Sequence, residues 1–214
     1  MNNQINYQVL ELFPTPVFTT NVPPSFSTLL PLFYQQEMLN KEVDSINYGE
    51  RSKNSYILDE PEYISLKNYI LSLINEYSYE VLGYNYKEYK FGQSWISYKH
   101  PGQQHTMHSH PNSLISGVFY FGEVAEDTPS IKFHPSASGV NSPTIRPSMK
   151  PGPRKYTHEH FTITPTPGLL LLFPSYLHHS VPLNKSNITR CSLSFNSIPT
   201  IGFGGEMELT ELKF

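Results

Sequence analysis

Leu169-Leu170-Leu171-Leu172-Phe173-Pro174-Ser175-Tyr176-Leu177-His178-His179-Ser180-Val181 begins with a run that has no polar face. Leu169 to Phe173 is apolar on both sides and strand-sized rather than helix-sized, so it reads as a strand buried on both faces. After the Pro174-Ser175 break, His179 to Pro182 reads as a second short strand. The same reading extends to both sides. Phe91 to Lys99, Ser113 to Phe121, Ser130 to His134, His158 to Thr164 and Arg190 to Asn196 are short runs punctuated by Gly, Pro, Asn and Ser. Many short strands following a helical region predict a mainly β protein with flanking helices (α+β), built as a double-stranded β-helix, or jelly roll.

The part before residue 91 has a different texture. Residues 8 to 19 read as an extended strand whose prolines confine it to a sheet edge. Phe26 to Val43 reads as helical, and Ser52 to Leu58 as loop or short strand. Asp59-Glu60-Pro61 is a helix start, with Asp59 as cap and proline in the first turn. Ile64, Tyr69, Ile70, Leu73, Ile74, Tyr77 and Val81 then follow a helical period that Gly83 ends. The expected organisation is a single domain over 1–214. An N-terminal strand and supporting helices occupy 1–90, and a jelly-roll catalytic core with a 135–157 insertion loop occupies 91–200. That loop carries Arg146, Lys150, Arg154 and Lys155. It reads either as a lid that meets an acidic group or as a variable surface insertion.

Composition bounds the function classes. A length of 214 residues suits one ordinary domain, and 19 prolines with 15 tyrosines favour a turn-rich β protein. The net charge of −3 gives no nucleic-acid footprint. The single cysteine, Cys191, excludes an internal disulfide and fits a reducing compartment. No apolar run approaches a membrane span and the N-terminus has no signal-peptide pattern, so a cytoplasmic protein is expected. A jelly-roll edge and the N-terminal strand leave room for a symmetric homodimer.

The chemistry-bearing residues are histidines. His108-Ser109-His110 is an H-x-H pair, and alternate residues of a strand face one side, so a strand can aim both imidazoles at one point. His179 on a distant strand can supply a third ligand, and Arg190 a fixed cation. An open three-ligand site beside a cation suits a metal that works on an anionic co-substrate. His105 could replace a ligand or orient one. His178 would face away from His179. His158-Glu159-His160 has a similar form without the surrounding motifs.

Taken together, H-x-H, then FPS-x-x-x-H-x-V, then R-x-S-x-S-F-N resembles the iron(II)/2-oxoglutarate-dependent oxygenases. More narrowly, the chain is similar to the oxygenase family common in marine phages and bacteria. That family opens on an LFPTP-like stretch, here Leu12 to Phe18, and carries an S-G-V-x-Y strand, here Ser116 to Tyr120. The resemblance implies iron(II) held by His108, His110 and His179, with His110 standing where the wider superfamily has Asp or Glu. It implies 2-oxoglutarate with its C5 carboxylate on Arg190, whose planar fork suits a carboxylate. Ser192 and Tyr120 would add donors there, and Tyr98 would contact the C1 end. Trp95, Asn112, Phe133 and the 135–157 loop would line the substrate mouth. The implied reaction couples oxidative decarboxylation of 2-oxoglutarate to oxidation of an unknown substrate, a protein side chain or a small molecule. No nucleic-acid or membrane partner is implied, and a phage-encoded chain would act in the host cytoplasm. Two alternatives stand beside this one. One is a three-histidine dioxygenase without 2-oxoglutarate, against which Arg190 argues. The other is a non-catalytic jelly-roll virion or assembly module, whose closed metal site would need His105 or His134 as fourth ligand.

Overall fold

The computed structural model describes residues 8, 10–39, 45–86, 88–135, 151 and 160–214. Strand β1 (Phe18–Asn21) is followed by a 3-10 turn (Pro24–Leu29), helix α1 (Leu30–Tyr34), the short α2 (Ser45–Tyr48) and β2 (Glu50–Arg51). Two 3-10 turns lead into α3 (Ile64–Glu76), and the jelly-roll strands follow. They are β3 (Tyr89–Lys99), β4 (His105–His108), β5 (Ile115–Phe121), β6 (Ile131–Phe133), β7 (Phe161–Ile163), β8 (Leu169–Pro174), β9 (His179–Val181) and β10 (Arg190–Pro199). A six-stranded sheet in the order β1-β8-β5-β10-β3-β2 faces a four-stranded sheet in the order β4-β9-β6-β7, and every strand pair is antiparallel.

β8 is buried as its sequence requires, paired on one side with β5 and on the other with β1, which is the edge strand of the large sheet. The two faces of the large sheet feed two cores. On the outer face, Phe33 of α1 and Leu66, Ile70 and Ile74 of α3 pack on Ile96, Phe119, Leu172, Leu193 and Phe195. Between the sheets, Val118, Ile131, Phe133, Leu171, Phe173 and Leu177 pack together. Gly117 belongs to this design, because a Cβ there would strike the Phe195 ring and Leu172.

Several expectations for the first 90 residues need correction. The helix from Phe26 stops at Tyr34, short of Val43, and residues 40–44 lie outside the described ones. Met38 instead makes an isolated bridge to Ser52, which turns the chain back toward the sheet. Asp59 does not cap α3. Its carboxylate pairs with Lys67 at 2.6 Å, and the helix is entered through a Pro61–Tyr63 turn without a side-chain cap. The strand expected over 8–19 shortens to Phe18–Asn21, because only from Phe18 does β8 offer a partner. Most of the 135–157 loop, with Arg146, Lys150, Arg154 and Lys155, lies outside the described residues, as do His158 and Glu159. Among the described residues, no helix is long and apolar enough to cross a membrane.

Candidate metal and co-substrate site

β4 and β9 pair so that His108 lies directly across from His179. His110 lies beyond the end of β4, so the H-x-H pair is not carried by one regular strand as expected. Its backbone N–H donates to the carbonyl of Ser175 at 2.9 Å, and this bond to the Pro174-Ser175 turn brings its ring back toward the other two. One ring nitrogen from each of His108, His110 and His179 lies within 4.8 Å of the others, and the Nε2 atoms of His110 and His179 are 3.3 Å apart. His105 stacks on His108 with centroids 4.1 Å apart, outside the group of three, where it can brace that ring.

Backbone carbonyls set the presented nitrogen. Nδ1 of His108 is 2.8 Å from the carbonyl of Thr106, and Nδ1 of His179 is 2.9 Å from that of Leu177. A carbonyl can only accept, so Nδ1 carries the proton and Nε2 keeps its lone pair for a metal. Burial holds the rings neutral: it pulls His110 down to about 4 and His179 down to about 3, with neighbouring histidines adding to the effect, and it lowers His108 as well. Three neutral imidazoles with convergent lone pairs fit iron(II), as they fit other divalent ions of this size.

Behind the histidines, Arg190 is 4% exposed, and Nη2 donates to the hydroxyl of Tyr120 at 3.0 Å. Its Nε is buried without a protein partner. A buried guanidinium with a spare donor fits a carboxylate arriving inside the cavity. Ser192 shares this face of β10 and lines the same cavity. Lys99, directly across from Arg190 on β3, lines it too and donates to Ser97 Oγ at 2.5 Å. Lys99 went unread in the sequence, although it alternates with Trp95 and Ser97 on a strand already recognised.

Tyr98 is a correction. It falls between Ser97 and Lys99, so its side chain points to the opposite face of the sheet, stacks on Tyr34 and donates to the carbonyl of Phe33 at 3.3 Å. It cannot reach the C1 end of a co-substrate held between the sheets. Phe133 is core rather than mouth, packed edge-on against Phe173. His134 bonds Ser180 and stays outside the group of three. Trp95 and Asn112 line an open cleft of about 620 Å³ that ends on the histidines, together with Tyr48, Arg51, Tyr56 and Asn196. Asn112 also has φ 57, so it serves a left-handed turn after Pro111 as well as the cleft.

Residues 93–196 match a family model described as "Putative 2OG-Fe(II) oxygenase". No curated protein matches the sequence. Among solved structures, the chain is similar to the non-heme alpha-ketoglutarate-dependent carbocyclase SnoK from nogalamycin biosynthesis, with TM-score 0.60, 11% identity, and coverage of 87% of this chain and 80% of that one. It is similar to a prolyl hydroxylase from Trichoplax adhaerens in complex with a hypoxia inducible factor peptide fragment, with TM-score 0.58, 17% identity and coverage of 86% and 83%. A Pseudomonas putida prolyl-4-hydroxylase aligns with TM-score 0.55, 14% identity and coverage of 85% and 92%. At these identities the likenesses establish the fold.

Proposed function

Because the jelly-roll core of this chain, residues 93–196, belongs to the 2OG-Fe(II) oxygenase family, we propose that His108, His110 and His179 hold its iron(II) and that Arg190 anchors its 2-oxoglutarate. The protein is an iron(II)- and 2-oxoglutarate-dependent oxygenase. The bound metal and co-substrate supply the oxidising chemistry, spending 2-oxoglutarate to succinate and carbon dioxide while the substrate is oxidised. The observation that carries the residue assignment is one shared cavity between the sheets. Its wall has convergent histidine nitrogens on one side and a buried arginine with an unpartnered Nε on the other.

Each residue then has a task. Three neutral histidines leave the metal's full charge in place, where a carboxylate ligand would cancel one unit. The co-substrate dianion supplies the balancing charge. Arg190 takes the C5 carboxylate through its fork, and Tyr120, already bonded to Arg190, and Ser192 offer hydroxyls to the same group. Val118, Ile131 and Phe173 add apolar wall to the cavity, which strengthens the ion pair by excluding water. Trp95 and Asn112 stand at the open end, where a protein side chain or a small molecule would approach the metal. The reducing cytoplasm suits this iron(II) enzyme and its lone cysteine, and for a phage-encoded chain that cytoplasm is the host's.

Anaerobic titration of the iron(II)-loaded protein with 2-oxoglutarate tests the assignment. A visible charge-transfer band of the chelate is expected, and it weakens in Arg190→Ala. A fully iron-loaded parent that shows no band refutes the co-substrate site, and oxygen consumption without 2-oxoglutarate would then favour the three-histidine dioxygenase.

A further inference from the structure

A chain of hydroxyls runs behind the histidines and ends in the cleft. The N–H of Ser197 donates to Ser113 Oγ at 3.2 Å, Ser113 Oγ lies 2.8 Å from Ser175 Oγ, and Ser175 Oγ lies 2.8 Å from Ser116 Oγ. Ser116 donates to Oδ1 of Asn196 at 2.9 Å. Ser175 and Ser116 are fully buried, and Ser175 is the residue whose carbonyl holds His110. The same turn therefore fixes a metal-site histidine and the middle of the relay. A carboxamide has its acceptor at one end and two donors at the other. With Oδ1 of Asn196 spent inward on Ser116, its Nδ2 donors are the end left for the cleft it lines.

The strand pairing reinforces this placement. Ser94 pairs with Phe195 and Phe91 with Ser197, so Gly92 and Gln93 together face Asn196 in a bulge. Bulges re-aim side chains and gather beside active sites. All three residues line the cleft. Among its described lining residues there is no Asp or Glu, while Arg51 and the Trp95 indole can only donate. A ligand that repeats carbonyl acceptors matches the wall, and the exposed rings of Tyr48 and Tyr56 offer it flat apolar surface.

We propose that Asn196 is a substrate-orienting residue that donates from Nδ2 to a carbonyl oxygen, and that this carbonyl belongs to a polypeptide segment lying in the cleft. The assignment rests on the oxygenase reading and narrows its substrate to a peptide. The seryl chain is the positioning device, since it ties one end of the amide inward on Ser116 and leaves the other end for the cleft.

The test uses the full-length, iron(II)-loaded protein with 2-oxoglutarate, oxygen and a random library of end-capped peptides. Parallel arms hold small carboxylic acids and oligosaccharides. Succinate and a one-oxygen mass gain in the ligand are followed together. Capped peptides gain oxygen in the parent. Asn196→Asp, which puts an acceptor where the donor was, raises the KM for the best peptide about tenfold to hundredfold. The KM for 2-oxoglutarate in the same assay moves far less. Ser116→Ala, which removes the tether and lets the amide turn, raises the peptide KM less than Asn196→Asp does, and it carries the test if Asn196→Asp fails to fold. Parent-like peptide KM in both variants overturns the proposal. So does oxygen entering only sugars or small acids, or succinate formed with no peptide oxidised. A parent that forms no succinate in any arm sinks the oxygenase reading itself, a different result from any of these.

Discussion

On β10, Cys191, Leu193 and Phe195 point toward the helices, while Arg190, Ser192 and Ser194 point into the space between the sheets. β3 divides in the same way: Ile96 and Tyr98 go to the helices, and Trp95, Ser97 and Lys99 go to the cavity. The helix side is an apolar core that holds the fold together. The inner side gives up apolar packing for cations and hydroxyls that have no stabilising role large enough to justify their burial. A two-residue period thus lets one pair of strands serve both purposes, and residues adjacent in sequence have opposite jobs.

The separation can be broken from either side. The largest effect is expected from His179→Ala, which removes one of the three proposed ligands. Iron(II) affinity and 2-oxoglutarate turnover should fall by more than the roughly 10–100-fold that losing a supporting partner of a metal ligand costs. Metal-binding isotherms check this, and parent-like affinity would show that the inner face is not the metal site. Leu193→Ala does the converse. It empties a fully buried position of the helix-side core and should cost about 2–5 kcal/mol in denaturant unfolding, with turnover per folded molecule kept. Arg190→Met should raise the KM for 2-oxoglutarate about tenfold to hundredfold through lost charged hydrogen bonds. Its unfolding midpoint should stay level or rise, since a buried charge is exchanged for an apolar side chain.

Two tyrosines sharpen the contrast at finer scale. Tyr98→Phe loses one bond to the Phe33 carbonyl, so about 1 kcal/mol of stability should go while the 2-oxoglutarate KM is unmoved. Tyr120→Phe, on the inner face, should move that KM. Equal KM values for the two variants would erase the distinction between the faces. The smallest effect concerns Cys191. Burial pushes its thiol up to about 11 from an ordinary value of 9.0. A raised thiol favours the protonated form in the fold, so the stability it gives is complete below pH 9.0 and declines as pH rises toward about 11. Alkylation of the native protein at pH 9.0 should therefore be much slower than that of the denatured chain.

Much of the jelly roll was readable because its strands carry their own signals. β8 is apolar throughout, and the strand around Arg190 alternates polar and apolar residues between Gly- or Pro-marked turns. The first 90 residues were less readable. α1 ends where tertiary pairing of Met38 with Ser52 pulls the chain away from a continuing helix, and Asp59 was claimed by Lys67 rather than by the backbone. Tyr98 was misplaced although strand parity could have flagged it, since Trp95 and Tyr98 are three residues apart on one strand and so cannot both face the site.

The sequence by itself determined the chemistry on offer: which histidines could serve, that a cation follows them, and that short strands would carry both. These are local properties, fixed by residue type and by the two-residue period. Only the tertiary structure decided that His110, past the end of its strand, is drawn in by the carbonyl of Ser175. It also decided that Lys99 joins Arg190, and that a seryl relay turns the amide of Asn196 toward the cleft. Each of these depends on contacts between residues far apart in the chain, and such contacts leave no periodic trace in either partner's own sequence.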